Sequence, residues 1–283
     1  MNQARTLVRE GARRLAAAGN TQARHEAEWL LSRLLSVRAL ELYLDNSTVS
    51  QATAAQFLAH SDARAAGAPL QYLLGEAEFF GRPFAVEPGV FIPRPETEAV
   101  VEAAIQALRA LEQERGRPLQ VADLGTGSGC IAVTIARALP ACVVVGVEVS
   151  WRALRIASQN VRRHGLSRRV SLVQGSWTEP LRPSVDAIVS NPPYIPTAQV
   201  ESLPLDVRQE PRLSLDGGTD GMREARRLLA QAPRVLRPGG LLVMECGEEQ
   251  VETVRRASVS AGWGSAAPLH DLAGRPRGIL LKR

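Results

Sequence analysis

The segment VSNPPYIP, residues 189–196, places an amide side chain and an aromatic ring directly after an apolar run. Proline has a fixed φ and no N–H, so Pro192 and Pro193 end the run and leave neighbouring carbonyl oxygens without local donors. The side-chain oxygen of Asn191 and one such carbonyl can accept both hydrogens of a planar NH2 group, and Tyr194 can pack against its plane. The segment predicts a binding site for an amide or aromatic amine, with a plain turn after a strand as the alternative.

A glycine-rich segment, VADLGTGSGC at residues 121–130, predicts a nucleotide-type site. Gly125, Gly127 and Gly129 follow a predicted strand and precede a predicted helix, where glycine permits a tight turn beside free N–H groups. Glu148 ends the next predicted strand about 20 residues further on, where carboxylates hold ribose hydroxyls in dinucleotide-binding proteins. The alternatives are an ordinary tight turn and an exposed acid at a strand end.

The glycine spacing distinguishes this loop from a dinucleotide site. It reads G-x-G-x-G instead of G-x-G-x-x-G, and a Rossmann-like sheet with no pyrophosphate fingerprint suits S-adenosylmethionine, which carries adenosine but no phosphate. Together with Asn191 the loop predicts methyl transfer to nitrogen. Two acceptors raise the electron density of a weakly nucleophilic NH2 group and aim its lone pair at the methyl sulfonium. No strong base is needed before attack, and positioning alone can lower the barrier by about 7–11 kcal/mol.

From residue 96 onward, the sequence alternates between predicted helices and predicted strands, and these elements must position the residues above. A helix is predicted to start at Pro95, with Glu96 and Glu98 in the first turn, where the helix dipole favours acids. Strands are predicted at LQVAD, CVVVGVE, VSLVQG, VDAIVS and GLLVMEC. This alternation predicts an α/β fold with parallel βαβ units. If VDAIVS is the fourth strand and lies beside the first, Asn191 faces the glycine loop at the carboxyl ends of the strands.

The chain before this region predicts a separate domain. Residues 1–76 are predicted to form an all-α domain from the segments TLVREGARRLAAAG, ARHEAEWLLSRLL and SQATAAQFLAHSDARAAG. Residues 77–95, with Gly81 at a turn and several prolines, predict a β-hairpin linker to a Rossmann-like domain at residues 96–283. Since the helical domain contains no catalytic constellation, we expect it to recognise the substrate, with a stabilising cap as the alternative.

Composition narrows the class of protein. A hydrophobic content of 45% and a charged content of 22% are typical of a globular protein with a sizeable core. The N-terminus lacks the apolar segment of a signal peptide, and the longest apolar stretch is interrupted by Arg137 and Pro140. Three cysteines without metal-ligand spacing predict reduced core thiols: Cys130, Cys142 and Cys246. We expect a cytoplasmic protein without a membrane partner or a metal.

The net charge of +5 lies entirely in residues 81–283, because the eight arginines of residues 1–80 are balanced by eight acidic residues. A basic catalytic region permits a nucleic-acid partner. A solvated basic surface is the favoured interpretation.

Several motifs together resemble the protein-(glutamine-N5) methyltransferases of peptide chain release factors, the HemK/PrmC family. They are NPPY after VDAIVS, DLGTGSG, FIPRPETE, EPRLSLDGGTDGM, PLQYLLGEAEFFG and DLAGRPRGIL. The resemblance covers nearly the whole chain. The NPPY motif alone is shared with amino-methyltransferases of adenine and guanine, whereas IPRPETE with the PLQYLLG segment is far more specific.

The resemblance implies a Rossmann-like class I S-adenosylmethionine-dependent methyltransferase domain that methylates the glutamine of the Gly-Gly-Gln motif in class I release factors. Carried over, the loop Gly125, Thr126, Gly127, Ser128 and Gly129 lines the methionine end of the cofactor. Glu148 holds the ribose, Trp177 lies by the adenine, and Asn191, Pro192, Pro193 and Tyr194 hold the glutamine. Asn191 also faces the cofactor, and Asn191 and Tyr194 are the expected catalytic residues. Ser176 departs from the family pattern, because the family often has an acid at this position. The alternative for Trp177 is that it is a residue of the hydrophobic core.

Other functions remain open on the sequence. The nearest is a glutamine methyltransferase of a large-subunit ribosomal protein, which the motifs do not separate from a release-factor enzyme. A DNA adenine or RNA guanine methyltransferase is disfavoured because no separate basic recognition domain is evident. A nicotinamide dehydrogenase is disfavoured because it would not explain the NPPY motif. A catalytically inactive binding module is disfavoured because none of the site motifs is disrupted. We expect a monomer that requires no nucleic acid.

Overall fold

Helices dominate the first of two units in the computed structural model, which describes residues 2–43 and 48–283. This unit comprises Met1–Glu76 together with Pro204–Gln209. Its longer helices are α1 (Ala4–Ala17), α2 (Ala23–Leu35) and α3 (Gln51–Ala65), followed by α4 (Leu70–Leu74). Their apolar faces bury a core that includes Leu15, Leu30, Leu31 and Phe57. The three predicted helices are confirmed.

The first unit also contains a short ladder that the sequence analysis did not predict. Strand β1 (Asn2–Gln3) pairs antiparallel with β2 (Thr48–Val49). The expectation of an all-α domain was wrong in this detail, because strands of two residues are too short to carry an alternating pattern.

A β-hairpin opens the second unit, which comprises Ala77–Leu203 and Glu210–Arg283. Strands β3 (Glu76–Phe79) and β4 (Arg82–Ala85) pair with each other. Phe80 and Gly81 between them have φ of 51° and 65°, as a two-residue type I′ turn requires. Phe79 and Phe84 are fully buried in the core of this unit, so the hairpin is part of it.

The remaining elements alternate along the chain. They are α5 (Pro95–Arg115), β5 (Gln120–Leu124), α6 (Cys130–Ala138), β6 (Val143–Glu148), α7 (Trp151–Arg163), β7 (Val170–Gln174), β8 (Val185–Ser190), α8 (Leu205–Arg208, in the first unit), α9 (Arg223–Val235), β9 (Leu236–Glu245), α10 (Val251–Ser260), β10 (Ser265–His270) and β11 (Pro276–Lys282). Short 3-10 helices occupy Ala39–Tyr43, Thr197–Ser202, Arg212–Ser214 and Glu248–Gln250.

Strands β5 to β11 form one sheet in the order β10-β11-β9-β8-β5-β6-β7. The strands β9, β8, β5, β6 and β7 are parallel to one another. Strand β11 pairs antiparallel with β9, and β10 pairs antiparallel with β11. Strand β8 lies beside β5, as predicted, and every residue of β8 is buried. Ala187, Ile188 and Val189 form the apolar run that is typical of a strand buried on both faces. The two buried polar residues of β8 are hydrogen-bonded, Asp186 to Arg117 and Ser190 to the Leu124 carbonyl.

The three cysteines are buried free thiols, as expected. Within residues 2–43 and 48–283, none of the helices combines the length and apolar character needed to cross a bilayer.

Candidate active site

A cleft of about 300 Å³ opens at the carboxyl ends of β5, β6 and β8. Most of the residues that the sequence pointed to line it: Gly125, Thr126, Gly127, Ser128, Glu148, Trp177, Asn191 and Pro193. The strand order changes direction between β5 and β8, and open α/β sheets bind ligands at such a switch point. The topology therefore brings the glycine loop and the NPPY segment to one site.

The glycine loop requires glycine for its backbone conformation. Gly125, Gly127 and Gly129 have φ of 73°, 55° and 81°, a region that side chains with a Cβ strongly disfavour. A Cβ on Gly125 would lie 3.5 Å from the ring of Trp177. The turn thus keeps the backbone close to the cleft and opens directly into α6.

Asp123 anchors the loop from below. Its buried carboxylate accepts hydrogen bonds from the Thr126 hydroxyl and from the Ala132 N–H at 3.0 Å. Burial is the main cause that raises the pKa of Asp123 to about 7, because desolvation disfavours the charged form. Thr126 is thereby turned toward the sheet, and the conformation of the loop is set independently of a ligand.

Glu148 is held at the end of β6 by backbone donors. Its Oε2 accepts from the Gly127 N–H at 3.0 Å and its Oε1 from the Ser150 N–H at 2.9 Å. A carboxylate offers about four acceptor positions, so two remain for a ligand. The orientation of a bidentate acceptor is established before any ligand arrives.

Trp177 forms a wall of the cleft and has an unusual backbone. Its φ of 51° is left-handed, which is uncommon for a bulky residue and marks a constrained position. The indole N–H donates to Oε2 of buried Glu224 at 2.9 Å. Beside it, the Ser176 hydroxyl accepts from Arg227 at 3.0 Å, so a cation lies near the position where the resemblance leads us to expect an acid.

Asn191 has a defined orientation at the cleft. Its Nδ2 donates to the Thr97 hydroxyl oxygen at 3.0 Å, and both residues line the cleft. The Asn191 Oδ1 is therefore left as an acceptor. Among the residues that the structure describes, none donates a hydrogen bond to the carbonyl oxygens of Pro192 or Pro193.

Residues 215–222 hold the NPPY segment in place. Ile195 exchanges hydrogen bonds with it, from its N–H to the Leu215 carbonyl at 3.0 Å and from the Gly217 N–H to its own carbonyl at 2.8 Å. A Cβ on Gly217 would lie 2.8 Å from the Pro193 carbonyl oxygen, and one on Gly221 would overlap the Tyr194 carbonyl. These glycines are required by close backbone packing, which explains the DGGTDGM motif.

Three predicted site residues do not line the cleft. Gly129 lies at the start of α6, where its Cα faces Ala157, and Pro192 is buried. Tyr194 is mostly buried, and its hydroxyl donates to Oε1 of Glu245 at 3.3 Å. Burial raises the pKa of Tyr194 above its usual value. Stacking of Tyr194 on a substrate therefore stays a prediction. The hydrogen bond to Glu245 shows that Tyr194 also connects the NPPY segment to the end of β9.

Sequence reasoning missed the side chains that support these residues: Thr97, Glu224 and Glu245. Thr97 lies within the IPRPETE motif, which was noted only for its specificity. Glu245 ends β9, the strand beside β8, so the rule that polar residues at the carboxyl ends of parallel strands form the site could have found it.

Two family models match the chain. The model described as "Methyltransferase small domain" matches residues 84–204, and the model described as "PrmC N-terminal domain" matches residues 6–75.

Named relatives cover nearly the whole chain. A protein of Moorella thermoacetica named "Release factor glutamine methyltransferase" is 45% identical over 99% of this chain and 98% of its own length. Proteins of the same name from Geobacter sulfurreducens and Nitratidesulfovibrio vulgaris are 45% and 40% identical, over 85% and 98% of this chain and 82% and 94% of their own lengths.

Solved structures share the fold. The N-terminal domain of human METTL16 in complex with SAH superposes with a TM-score of 0.52 at 15% identity, covering 79% of this chain and 82% of that one. A Thermus thermophilus 16S rRNA N2 G1207 methyltransferase in complex with AdoMet and guanosine gives a TM-score of 0.51 at 21% identity, covering 74% of this chain and 49% of that one.

Proposed function

The chain belongs to the family of release factor glutamine methyltransferases, and on that premise we propose that it methylates the side-chain amide nitrogen of a release-factor glutamine. S-adenosylmethionine is the methyl donor. The acceptor is the glutamine of the Gly-Gly-Gln motif in class I release factors, so the reaction supports translation termination. The observation that carries the proposal is the orientation of Asn191, whose Nδ2 is committed to Thr97 and whose Oδ1 is available to a substrate NH2 group.

A second acceptor completes the amide site. Pro192 as a whole is buried and does not line the cleft, but its carbonyl directly follows Asn191 and accepts no hydrogen bond from the described residues. We propose this carbonyl as the second acceptor, because the Pro193 carbonyl already faces the Cα of Gly217. Two acceptors on one planar NH2 group orient the nitrogen and increase its electron density. The amide lone pair is delocalised, so the nitrogen is a weak nucleophile. Orienting this nitrogen is the main contribution of the protein and can lower the activation barrier by about 7–11 kcal/mol.

The residues of the cleft fit S-adenosylmethionine. The Glu148 carboxylate has two acceptor positions left for ribose hydroxyls, and the Trp177 indole offers an apolar wall for a base. Ser128 lines the cleft, and its buried hydroxyl oxygen has no hydrogen-bond partner among the described residues. The surface that lines the cleft is mainly apolar. S-adenosylmethionine carries no phosphate, so its methionine end can lie close to the backbone of the glycine loop.

When bound, S-adenosylmethionine would supply a methyl group from a positively charged sulfur, and breaking the C–S bond as the C–N bond forms would leave a neutral thioether. Asn191 and the Pro192 carbonyl hold the amide nitrogen as the new C–N bond forms. The methylated nitrogen still carries two hydrogens and a positive charge, and it loses one hydrogen as a proton to water. The same two oxygens stabilise the developing positive charge on the nitrogen, since partial negative charges face it.

Replacing Glu148 with alanine is expected to weaken the binding of S-adenosylhomocysteine about 10- to 150-fold. The reason is the loss of a charge-assisted pair of hydrogen bonds to the ribose, which contributes about 1.5–3 kcal/mol. Isothermal calorimetry measures the affinity. The control is Glu252→Ala, which removes the same charge from an exposed ion pair on α10. Equal affinities for the two variants and the wild type would show that Glu148 does not bind the ribose.

We further propose that the helical unit supplies recognition of the protein substrate and takes no part in the chemistry. It has its own core and shows no catalytic group within its described residues. A chain that starts at residue 77 is expected to bind S-adenosylhomocysteine as the full chain does, but to methylate an intact release factor at least about tenfold more slowly. Calorimetry and a methylation assay check this, with a short Gly-Gly-Gln peptide as the control substrate. Equal rates on the intact factor would assign the unit another purpose.

A methylation assay with labelled cofactor tests the function itself. We expect label in a class I release factor and none in a large-subunit ribosomal protein or in DNA. The glutamine site also suits a ribosomal-protein glutamine, so label in that protein alone would select the alternative substrate. We propose that the enzyme acts as a monomer in the cytoplasm, where release factors work, with neither nucleic acid nor membrane as a required partner.

A further inference from the structure

Two carboxylates line the cleft among the described residues, and the proposed chemistry uses only one of them. Glu148 is assigned to the ribose, whereas Glu224, the second residue of α9, has no part in the reaction. The exposed fraction of Glu224 is 7%. A buried carboxylate is costly unless charges and hydrogen bonds compensate for the lost water, so a buried acid that faces a ligand cleft requires an explanation.

Hydrogen bonds fix the Glu224 carboxylate but leave part of it free. Its Oε1 accepts from the Arg223 Nε at 2.7 Å, and its Oε2 accepts from the Trp177 indole N–H at 2.9 Å. A carboxylate has about four acceptor positions, so about two remain for a ligand. Any neutral acceptor would satisfy the indole N–H, so the support of Trp177 does not by itself account for a charged group at this position.

A hydrogen-bond donor lies beside this acceptor. The Ser176 hydroxyl lines the cleft and accepts from the Arg227 Nη2 at 3.0 Å. Within the part of the chain that the structure describes, its own hydrogen is not used and remains available to a ligand. The Nη1 of the same guanidinium lies 4.0 Å from Oε2 of Glu224. One arginine thus brings an acceptor, Glu224, and a donor, Ser176, to the same end of the cleft as the Trp177 indole.

This pattern is complementary to an edge of adenine. The exocyclic amine of adenine donates hydrogen bonds, and the ring nitrogens on either side of it accept them. In hypoxanthine an oxygen replaces the amine, so an acceptor would face the carboxylate and leave it unpaired. A purine packed against the Trp177 indole would therefore be distinguished by the group at its 6-position.

We propose that Glu224 is a specificity-determining residue that accepts a hydrogen bond from the exocyclic amine of the cofactor's adenine. The inference rests on the proposed function, because it takes S-adenosylmethionine as the cofactor and the Trp177 indole as the wall against its base. It gives the adenine amine an acceptor on α9, whereas the resemblance led us to expect an acid at position 176.

Calorimetry with two ligands tests this assignment. They are S-adenosylhomocysteine and S-inosylhomocysteine, in which an oxygen replaces the 6-amino group of the purine. The wild type should bind the adenosine ligand about 10–100-fold more tightly, because the inosine oxygen leaves a buried carboxylate unpaired. Glu224→Gln should reduce this preference to less than about threefold, because its amide keeps an oxygen for the Trp177 N–H and can turn its NH2 group to the inosine oxygen.

A double variant and a control separate recognition from general disruption. Ser176→Asp combined with Glu224→Gln should restore a preference of at least about tenfold, since it returns a carboxylate to the same end of the cleft. The matched control is Glu179→Gln, which removes the same charge from another partner of Arg227. The Glu179 side chain is 62% exposed and does not line the cleft, so this variant should keep the preference of the wild type.

Equal binding of the two ligands by the wild type would overturn the proposal. A Glu224→Gln variant that loses affinity for both ligands by the same factor would also overturn it, since Glu224 would then act only through Trp177. If Glu224→Gln does not fold, Glu224→Asp decides. It keeps the charge but withdraws it by one methylene, and it should lower the preference at least about fivefold; an unchanged preference rejects the role.

The same measurements distinguish this inference from the proposed function. Binding of S-adenosylhomocysteine with the expected preference, but without methylation of the glutamine, would refute the proposed function and support the role of Glu224. Binding of neither ligand by the wild type would refute both.

Discussion

The Asn191→Ala variant is expected to transfer methyl groups about 10²–10³-fold more slowly than the wild type while folding normally. The substitution removes one of the two acceptors that face the substrate amide, and losing one preorganised hydrogen-bonding group from an active site has an effect of this size. The remaining Pro192 carbonyl holds only one hydrogen, so the nitrogen is free to rotate away from the methyl donor. A single-turnover assay with a release factor and labelled cofactor measures the rate.

Binding and stability data separate this effect from a general disruption. The affinity for S-adenosylhomocysteine should change by less than about threefold, since Glu148 and Trp177 remain in place. The matched control is Asn20→Ala, which removes the same side chain from the helical unit, where Asn20 donates to Glu26. A rate for Asn191→Ala within twofold of the control would show that Asn191 is not part of the reaction.

Replacing the target glutamine of the release factor with glutamate is expected to abolish methylation. Glutamate has no hydrogen to donate at neutral pH, and its charge would face two partially negative oxygens. Sites that hydrogen-bond a specific group reject an analogue lacking that group by roughly 10⁴–10⁵. Mass spectrometry of the peptide that contains the motif measures the product.

Asparagine at the same position is the geometric control. It keeps both hydrogens but withdraws the amide by one methylene, and small misplacements of a reacting group cost about 10²-fold in rate. We expect no detectable product on asparagine within the time that glutamine is fully converted. Methylation of the glutamate variant would show that the two-acceptor account of the NPPY segment is wrong.

Local motifs allowed much of the site to be predicted. The glycine loop and Asn191 each lie directly after a predicted strand, and Glu148 ends one. The carboxyl ends of parallel strands meet at one edge of the sheet. Knowing that β8 lies beside β5 was then enough to bring Asn191 to the loop. These predictions needed only a local pattern and one rule of sheet topology.

The supporting residues could not be predicted in the same way. Glu245 ends an apolar strand and resembles any acid at the end of a strand. Its role depends on Tyr194, which is distant in sequence and donates a hydrogen bond to it. Trp177 was placed near the adenine, but its partner Glu224 comes from α9. Strand β10 was missed because all of its residues are exposed or partly exposed, so no apolar period marks it.

The most direct test of the account is to incubate the enzyme and S-adenosylmethionine with an intact class I release factor and to locate the methyl group by fragmentation mass spectrometry. One methyl group is expected on the side-chain nitrogen of the Gly-Gly-Gln glutamine, and none on any other residue. An unmodified glutamine, or a methyl group on any neighbouring residue, would contradict it.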